Sequence, residues 1–236
     1  DDLAAPLLAA AAAADRADRL GRGGPPRYAA GLARRGWRAV GPPHKQRYAR
    51  YSGAAGADAD SVGAQLQALR ELVSSTPFTQ MLALLCGAAP SSVRAEARRF
   101  RPGLDYTLAH VGTLRDELTI DLTLCFVPAA ADAAATSGDT AAARKKELAA
   151  GRLWASGDVG GFECYVATDG DEETKTAKAA EVYRADDSSE GVTSIHAMSN
   201  ALSLTLRPPG TMKFVKYVSA AAPGSRWDVA AEYTVP

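Results

Sequence analysis

The 236-residue sequence predicts a mainly β protein, an antiparallel jelly roll with a helical lead-in and supporting α-helices. Between residues 118 and 125 every second residue is Leu or Ile, and the others are Thr, Asp, Thr and Cys. This period of two is typical of a half-buried strand. Similar short segments recur after residue 91, separated by turn residues such as the Arg-Pro-Gly at 101–103. Over residues 58–87 the apolar residues instead repeat at helical spacing.

Residues 1–57 are predicted to be an inter-domain segment that contains a helix, a linker and a basic connector. The Ala-rich opening, residues 1–20, lacks a basic N-terminal region, so we interpret it as a helix and not as a signal peptide. Its apolar anchors are Leu3, Leu7 and Leu8. The Gly-Pro-Pro at 41–43 ends any helix in the connector. The chain does not begin with Met, which suggests a fragment or a processed form.

Residues 58–236 are predicted to form a second unit, a helix pair followed by the β domain. Ser61 is the expected N-cap of the first helix. The apolar stripe of this helix is Val62, Leu66, Leu69 and Val73. Thr76 caps a second helix, with Pro77 at its first position and Gly87 at its end. The expected buried face of that helix is Phe78, Met81, Leu82 and Leu85.

Strand segments follow through the rest of the second unit. They are residues 93–100, 106–110, 118–126, 162–168, 201–206, 212–218 and 227–235. The Ala- and Thr-rich stretch 129–152 is predicted to be a surface insertion, helical around 141–150. Residues 169–190 are acidic and polar, which predicts another loop.

The composition narrows the possible function classes. Lys and Arg total 27, and Asp and Glu also total 27, so a nucleic-acid binder that works mainly through bulk charge is not expected. The sequence contains no run of about 18 apolar residues, so no membrane span is predicted. Cys86, Cys125 and Cys164 are widely spaced and form no Cys-x-x-Cys motif, which favours reduced thiols in a reducing compartment over a disulfide framework or a zinc site.

Several sequence blocks, in order, carry a family resemblance. They are RRFRPGLDYTLAH, DLTLCFVP, WASGDVGGFECYVA, NALSLTLRPPGTMKFVKYV and RWDVAAEY. Together they resemble the C-terminal domain of the 2-oxoglutarate- and Fe(II)-dependent prolyl 3-hydroxylase family that modifies a small-subunit ribosomal protein. The resemblance covers most of residues 37–236. It implies a cupin-like double-stranded β-helix, which is non-catalytic and follows a catalytic N-terminal domain.

The resemblance implies that the parent enzyme uses Fe(II), 2-oxoglutarate and ascorbate, with none of these bound by this chain. Iron in such enzymes needs two imidazoles and a carboxylate. The resemblance places the first imidazole at His110, where the ligand two residues later is replaced by Gly112, and the second near Val215. Arg226 lies near the expected position of the 2-oxoglutarate arginine. His110 and Arg226 are therefore weak candidates for metal and co-substrate contacts.

Other catalytic interpretations have less support. A non-standard iron site could use His110, His196 and either Asp105 or Asp116, but it needs an unusual loop geometry, and His44 lies in the connector. His110 is more simply interpreted as a structural histidine whose ring bonds to a backbone carbonyl. The sequence contains no Gly-x-Ser-x-Gly motif and no P-loop.

The basic residues of the connector are the predicted partner surface. They are Arg34, Arg35, Arg38, Lys45, Arg47 and Arg50. A solvated connector is the simpler interpretation of the same residues. The expected partners are the catalytic domain of the same protein and the ribosomal protein substrate. A homodimer is possible, and neither direct nucleic-acid binding nor a membrane is expected.

Three hypotheses follow. The favoured one is a non-catalytic domain that stabilises the catalytic domain and helps to dock a substrate or regulator. The alternatives are a self-sufficient dioxygenase with a non-standard site and a stand-alone protein-binding module.

Overall fold

The computed structural model describes residues 3–21, 26–32, 34, 36–53, 56, 58, 61–128, 140–167 and 192–236. The helices of this part of the chain are α1 (Ala4–Ala17), α2 (Val62–Val73), α3 (Thr76–Cys86) and α4 (Thr140–Ala155). The first strands are β1 (Trp37–Val40), β2 (Gln46–Tyr51), β3 (Ser92–Phe100), β4 (Tyr106–Thr107) and β5 (Leu118–Phe126). The later strands are β6 (Glu163–Ala167), β7 (Val192–Ile195), β8 (Ala201–Arg207), β9 (Thr211–Val215) and β10 (Arg226–Val235).

Two antiparallel sheets form the domain. The large sheet has the order β1-β2-β3-β10-β5-β8, with β4 paired to β2, and the small sheet has the order β7-β6-β9. The last strand, β10, lies at the centre of the large sheet, between β3 and β5. Val215 N of β9 donates a hydrogen bond of 2.6 Å to Thr107 Oγ1 of β4, which links the two sheets. The predicted mainly β jelly-roll fold with supporting helices is confirmed.

The apolar face of the large sheet packs against the helices. Ile120 and Leu122 of β5 and Val229 of β10 are almost completely buried, together with Leu66 of α2 and Leu7 of α1. The i, i+4 spacing on α2 and the alternation on β5 therefore meet in one core, as predicted.

The opposite face of the large sheet is polar and points towards the small sheet. Thr123 Oγ1 donates a hydrogen bond to Glu163 of β6, and Asp121 lies 3.7 Å from Lys213 Nζ of β9. The polar half of the β5 pattern, which sequence alone could assign to solvent, therefore faces the interior between the sheets.

The large sheet crosses the boundary that was predicted between residues 57 and 58. Strands β1 and β2 come from the predicted connector, and Arg50 of β2 pairs in register with Arg98 of β3. The connector lacked a strong period-2 signal because QRYARY places Tyr and Arg side chains on both faces. Helix α1 is also tied to the sheet, since Arg99 lies 2.7 Å from both Asp15 and Asp18.

The helix ends and faces differ in detail from the prediction. Ser75, not Thr76, caps α3, and its side chain accepts a hydrogen bond from Phe78 N. Among the predicted buried residues of α3 only Leu82 is fully buried, and Met81 and Leu85 are 45% and 68% exposed. A helix at the edge of a core buries one narrow stripe, so its flanking apolar residues remain at the surface.

The predicted insertion is partly helical. Residues 129–139 and the predicted acidic loop 169–190 lie outside the described residues. Helix α4 extends to Ala155, five residues beyond the predicted helical region, because Trp154 is completely buried against Val159 and Val218. None of the helices in the described part is long and apolar enough to cross a membrane.

Candidate functional site

A cavity of about 290 Å³ lies between the two sheets. Residues of β2, β3, β9 and β10 line it, together with the chain that follows β4. His110, Gly112 and Val215 all contribute to its lining. The structure thus brings together the three positions that the resemblance assigns to the iron ligands.

His110 has a structural role at the edge of this cavity. Its Nδ1 accepts a hydrogen bond of 3.0 Å from Gly112 N, and its carbonyl accepts one of 2.7 Å from Thr113 Oγ1. The prediction that the ring bonds to a backbone carbonyl is therefore corrected, because the ring nitrogen is an acceptor of a backbone N–H. Burial, with the nearby charge of Lys45, lowers the pKa of His110. The imidazole is neutral at neutral pH, and its one acceptor nitrogen, Nδ1, is already used by Gly112 N.

The other two positions cannot supply ligands. Gly112 has no side chain, and Val215 is a buried apolar residue on β9. Among the described residues, no group of three or more His, Cys, Asp or Glu side chains could hold a metal ion. The residues present at the predicted triad position do not fit an iron centre.

The alternative iron site is not assembled. Asp105 is completely buried and receives two short hydrogen bonds from the guanidinium of Arg101, at 2.7 and 2.9 Å. His196 follows β7 at a different place, where its ring stacks on Phe162 and its Nδ1 contacts the carbonyl of Ala155. His44 lies in an exposed turn before β2.

Arg226 is committed to a buried ion-pair network. It is the first residue of β10, and its guanidinium lies 2.9 Å from Asp228 and 3.1 Å from Glu163. Its remaining NH1 group donates to the carbonyl of Gly161. Arg226 is outside the cavity lining, and each of its three guanidinium nitrogens already has a protein partner.

The same network continues along the interior. Arg98 of β3 contacts Asp228 at 2.7 Å and Glu163 at 3.3 Å. Arg207 of β8 contacts Asp121 at 2.9 Å. Four basic side chains and three carboxylates are buried here, so ion pairs occupy the interior beside the cavity. The basic members are Arg98, Arg207, Lys213 and Arg226, and the acidic members are Asp121, Glu163 and Asp228.

Glu163 is the centre of this network. Burial raises its pKa, but the charges of Lys213, Arg226 and Arg98 outweigh burial and lower the pKa to about 2. The carboxylate is therefore ionised at all ordinary pH values. Burial dominates at Asp121, whose pKa is raised even though Lys213 and Arg207 are near.

The predicted partner surface is divided between several environments. Arg34 lies 2.7 Å from Asp18 and donates to the carbonyl of Ala14, so it fixes the loop to α1. Arg47 donates to the carbonyl of Leu104 and stacks on Tyr106.

The other members of that surface differ again. Arg50 lies 3.0 Å from Glu96, Arg38 is exposed, and Lys45 lies at the cavity mouth. Arg35 lies outside the described residues. Sequence position alone could not separate paired from unpaired arginines, because their carboxylates come from distant segments.

Strand β8 carries an apolar surface that sequence reasoning missed. Leu202, Leu204 and Leu206 share one face and are 52%, 41% and 59% exposed. On β5, the neighbouring strand, the corresponding face packs into the helix-covered core. The period-2 alternation of β8 identifies its apolar face from the sequence. The alternation does not show that this face is exposed, because it carries no information on where the helices end above the sheet.

Comparisons with known proteins agree with the resemblance. The family model "Oxoglutarate and iron-dependent oxygenase degradation C-term" matches residues 17–236. A curated relative, "Prolyl 3,4-dihydroxylase OGFOD1" from Ostreococcus tauri, is 34% identical over 202 residues, which are 84% of this chain and 35% of the relative. The chain thus spans about a third of the length of the curated relative that it matches.

Solved structures give weaker likenesses. A prolyl hydroxylase from Trichoplax adhaerens, in complex with a hypoxia inducible factor peptide fragment, has 10% identity and a TM-score of 0.47, with 99% of this chain and 79% of that chain covered. A Pseudomonas putida prolyl-4-hydroxylase has 12% identity and a TM-score of 0.42, with 99% and 88% covered.

Proposed function

Because the chain belongs to the family described as "Oxoglutarate and iron-dependent oxygenase degradation C-term", we propose that it is the non-catalytic C-terminal domain of a 2-oxoglutarate- and Fe(II)-dependent prolyl hydroxylase. The observation that supports this most directly is the interior of the jelly roll. At the predicted ligand positions stand Gly112 and Val215, and the neighbouring space holds the ion pairs around Glu163. A domain with this interior has lost the means to hold iron while it keeps a packed fold.

Its role is to stabilise and position the catalytic domain. The apolar face of β8, made by Leu202, Leu204 and Leu206, is the surface that packs against that domain. Two facts support the catalytic domain as the partner that covers this face. The face is continuous with the helix-covered apolar face of β5. The matched segment covers 35% of the curated relative, which leaves 65% of its length for other domains.

The whole protein hydroxylates a prolyl residue of a small-subunit ribosomal protein and thereby adjusts translation. The chain contributes by docking the substrate or a regulator. It acts in the cytoplasm and nucleus, without a direct contact to nucleic acid or a membrane. The relation to a named prolyl 3,4-dihydroxylase supports the reaction class. The substrate and the location rest on the family resemblance alone.

The non-catalytic role is tested by a thermal-shift titration of the purified chain with Mn(II) and 2-oxoglutarate, separately and together. A ligand that binds only the folded state stabilises that state by mass action and so raises the melting temperature. At a ligand concentration a hundred times the dissociation constant, the stabilisation is about 2.7 kcal/mol. We expect no saturable shift that requires both ligands, in the wild type and in His110→Ala alike. A shift that needs metal and 2-oxoglutarate together, and is lost in His110→Ala, overturns the proposal.

A further inference from the structure

The cavity between the sheets has an excess of positive charge. Two acidic side chains line it, Glu96 and Glu232, against six basic ones. The basic side chains are Lys45, Arg94, Arg98, Arg115, Arg207 and Lys213. Sites that bind anions are lined in this way, because each cation adds attraction for a negative ligand in a space shielded from water.

The acidic side chains of the lining are already occupied. Glu96 accepts hydrogen bonds of 2.8 Å from the Tyr48 hydroxyl and 3.0 Å from Arg50. Glu232 lies 2.8 Å from Arg115 and 3.3 Å from Arg207. No acidic group of the lining is left to pair with Lys45 or Arg94.

Lys213 is the cation at the floor of the cavity. Its side chain is 9% exposed, and its Nζ lies 3.7 Å from Asp121 and 3.8 Å from Glu163, beyond hydrogen-bond distance. The ring of Tyr165 lies 5.5 Å from the same Nζ. The ammonium has three donors, and the described part of the chain satisfies none of them with a hydrogen bond. A buried donor without an acceptor is destabilising, so this group favours a ligand that supplies one.

Arg94 and Lys45 are the cations at the cavity mouth. Both are exposed, and within the described residues neither forms an ion pair. Arg94 stands opposite Glu232 in the β3–β10 register, but Glu232 is held by Arg115 and Arg207. Among the described residues, the cavity thus has two exposed cations without an ion pair at its mouth. At its floor lies an ammonium whose two carboxylate partners are beyond hydrogen-bond distance.

The pKa directions of the neighbouring groups agree with a positive potential in this space. Burial raises the pKa of Glu96 and of Glu232, but hydrogen bonds and nearby cations lower both below their ordinary value. Burial lowers the pKa of His110, and the charge of Lys45 lowers it further.

We propose that this cavity binds a small anion with at least two negative charges, which contacts Lys213 at the floor and Arg94 and Lys45 at the mouth. The volume of about 290 Å³ suits a molecule of the size of pyrophosphate or citrate. No metal takes part, because the anion is held by the side-chain cations alone. The site is separate from the β8 surface and does not depend on which partner covers that surface.

Isothermal titration calorimetry of the whole chain tests the proposal, with pyrophosphate and citrate as probes at low ionic strength. Metal ions are removed from the protein beforehand with a chelating resin, so that no dissolved chelator competes as an anion. We expect saturable one-site binding of at least one probe that weakens as NaCl is added. Tighter binding of pyrophosphate identifies a phosphate ligand, and tighter binding of citrate identifies a carboxylate ligand. Failure of both probes to bind at millimolar concentration overturns the proposal.

Variants locate the bound anion. Lys213→Met and Arg94→Ala should each weaken binding by roughly tenfold, as expected for one lost charge-assisted hydrogen bond. Lys146→Met, at an exposed position of α4, should leave the affinity unchanged. Arg94 is exposed and unpaired among the described residues, so its variant tests the site even if the loss of Lys213 prevents folding. Equal affinity in Arg94→Ala and the wild type also overturns the proposal.

The result is distinguishable from a failure of the proposed function. Anion binding by the metal-free chain supports the cavity site and leaves the non-catalytic role intact. Binding that needs Mn(II) as well as the anion contradicts both proposals. If no anion binds and the melting temperature does not depend on metal, only the proposed cavity site is contradicted.

Discussion

At the scale of single residues, Glu163 joins the two sheets of this domain. It accepts hydrogen bonds from Arg98 and Arg226, and Thr123 donates to the same carboxylate. Three cations surround it, and its contacts join three strands of the large sheet, β3, β5 and β10, to the small sheet.

Neutralising this carboxylate should strongly destabilise the fold. In Glu163→Gln, Arg98 and Arg226 keep their charge but lose one partner each, and such broken buried pairs typically reduce stability by about 3–5 kcal/mol. Urea unfolding at neutral pH should show the loss in the free energy of unfolding. Glu117→Gln, at an exposed position before β5, is the matched control and should change stability by less than about 0.5 kcal/mol.

The lowered pKa of Glu163 also predicts acid sensitivity. Its ordinary value is 4.5 and its value in the folded protein is about 2. The stabilisation is therefore fully present above the unfolded pKa, and it decreases as the pH falls from roughly 5 towards 2. Chemical denaturation at a series of pH values should show this decrease, of the order of 3 kcal/mol. The decrease should be shallower in Glu163→Gln, and identical slopes in the two proteins would contradict the assignment.

At the scale of elements, β8 differs from the other strands of the large sheet. It is the edge strand of the described order, and its outward leucines lack the helix cover that β5 and β10 receive. Helix α2 packs on β3 and β10. An element with an exposed row of leucines on an otherwise covered sheet is typical of a protein–protein contact surface.

A charge on this face should separate docking from folding. Leu204→Asp replaces a side chain that is 41% exposed, so the stability of the isolated chain should change little. Binding to the separately purified catalytic domain should weaken by at least tenfold, because an aspartate would be buried without a partner. Leu148→Asp, at a 57% exposed position of α4, is the matched control. Equal affinity of both variants in a pull-down or calorimetric titration would show that β8 is not the docking face.

At the scale of the whole molecule, the domain encloses a polar interior. The chain is neutral overall, with 27 basic and 27 acidic residues, yet several of these charges lie between the sheets. Apolar packing against the helices stabilises one face of the large sheet, and ion pairs join the other face to the small sheet. Two of the positions that the resemblance assigns to iron ligands are occupied by Gly112 and Val215, whose side chains offer no ligand atom.

The sequence by itself determined the parts whose signal is local. The bounds of β5 followed from a period of two, and the apolar stripe on α2 followed from a period of 3.6. Both patterns depend only on residues a few positions apart in the sequence. The ordered family blocks predicted the family and the jelly-roll fold.

Only the tertiary structure decided how the charged residues are used. Arg98 and Asp228 are 130 residues apart and Arg99 and Asp15 are 84 apart, so no local pattern links them. For the same reason, sequence could not show that Arg34 and Arg47 are used internally while Arg94 and Lys213 face a cavity. An ion pair depends on distance in space, and burial depends on what covers a surface, and both are set when distant segments pack together.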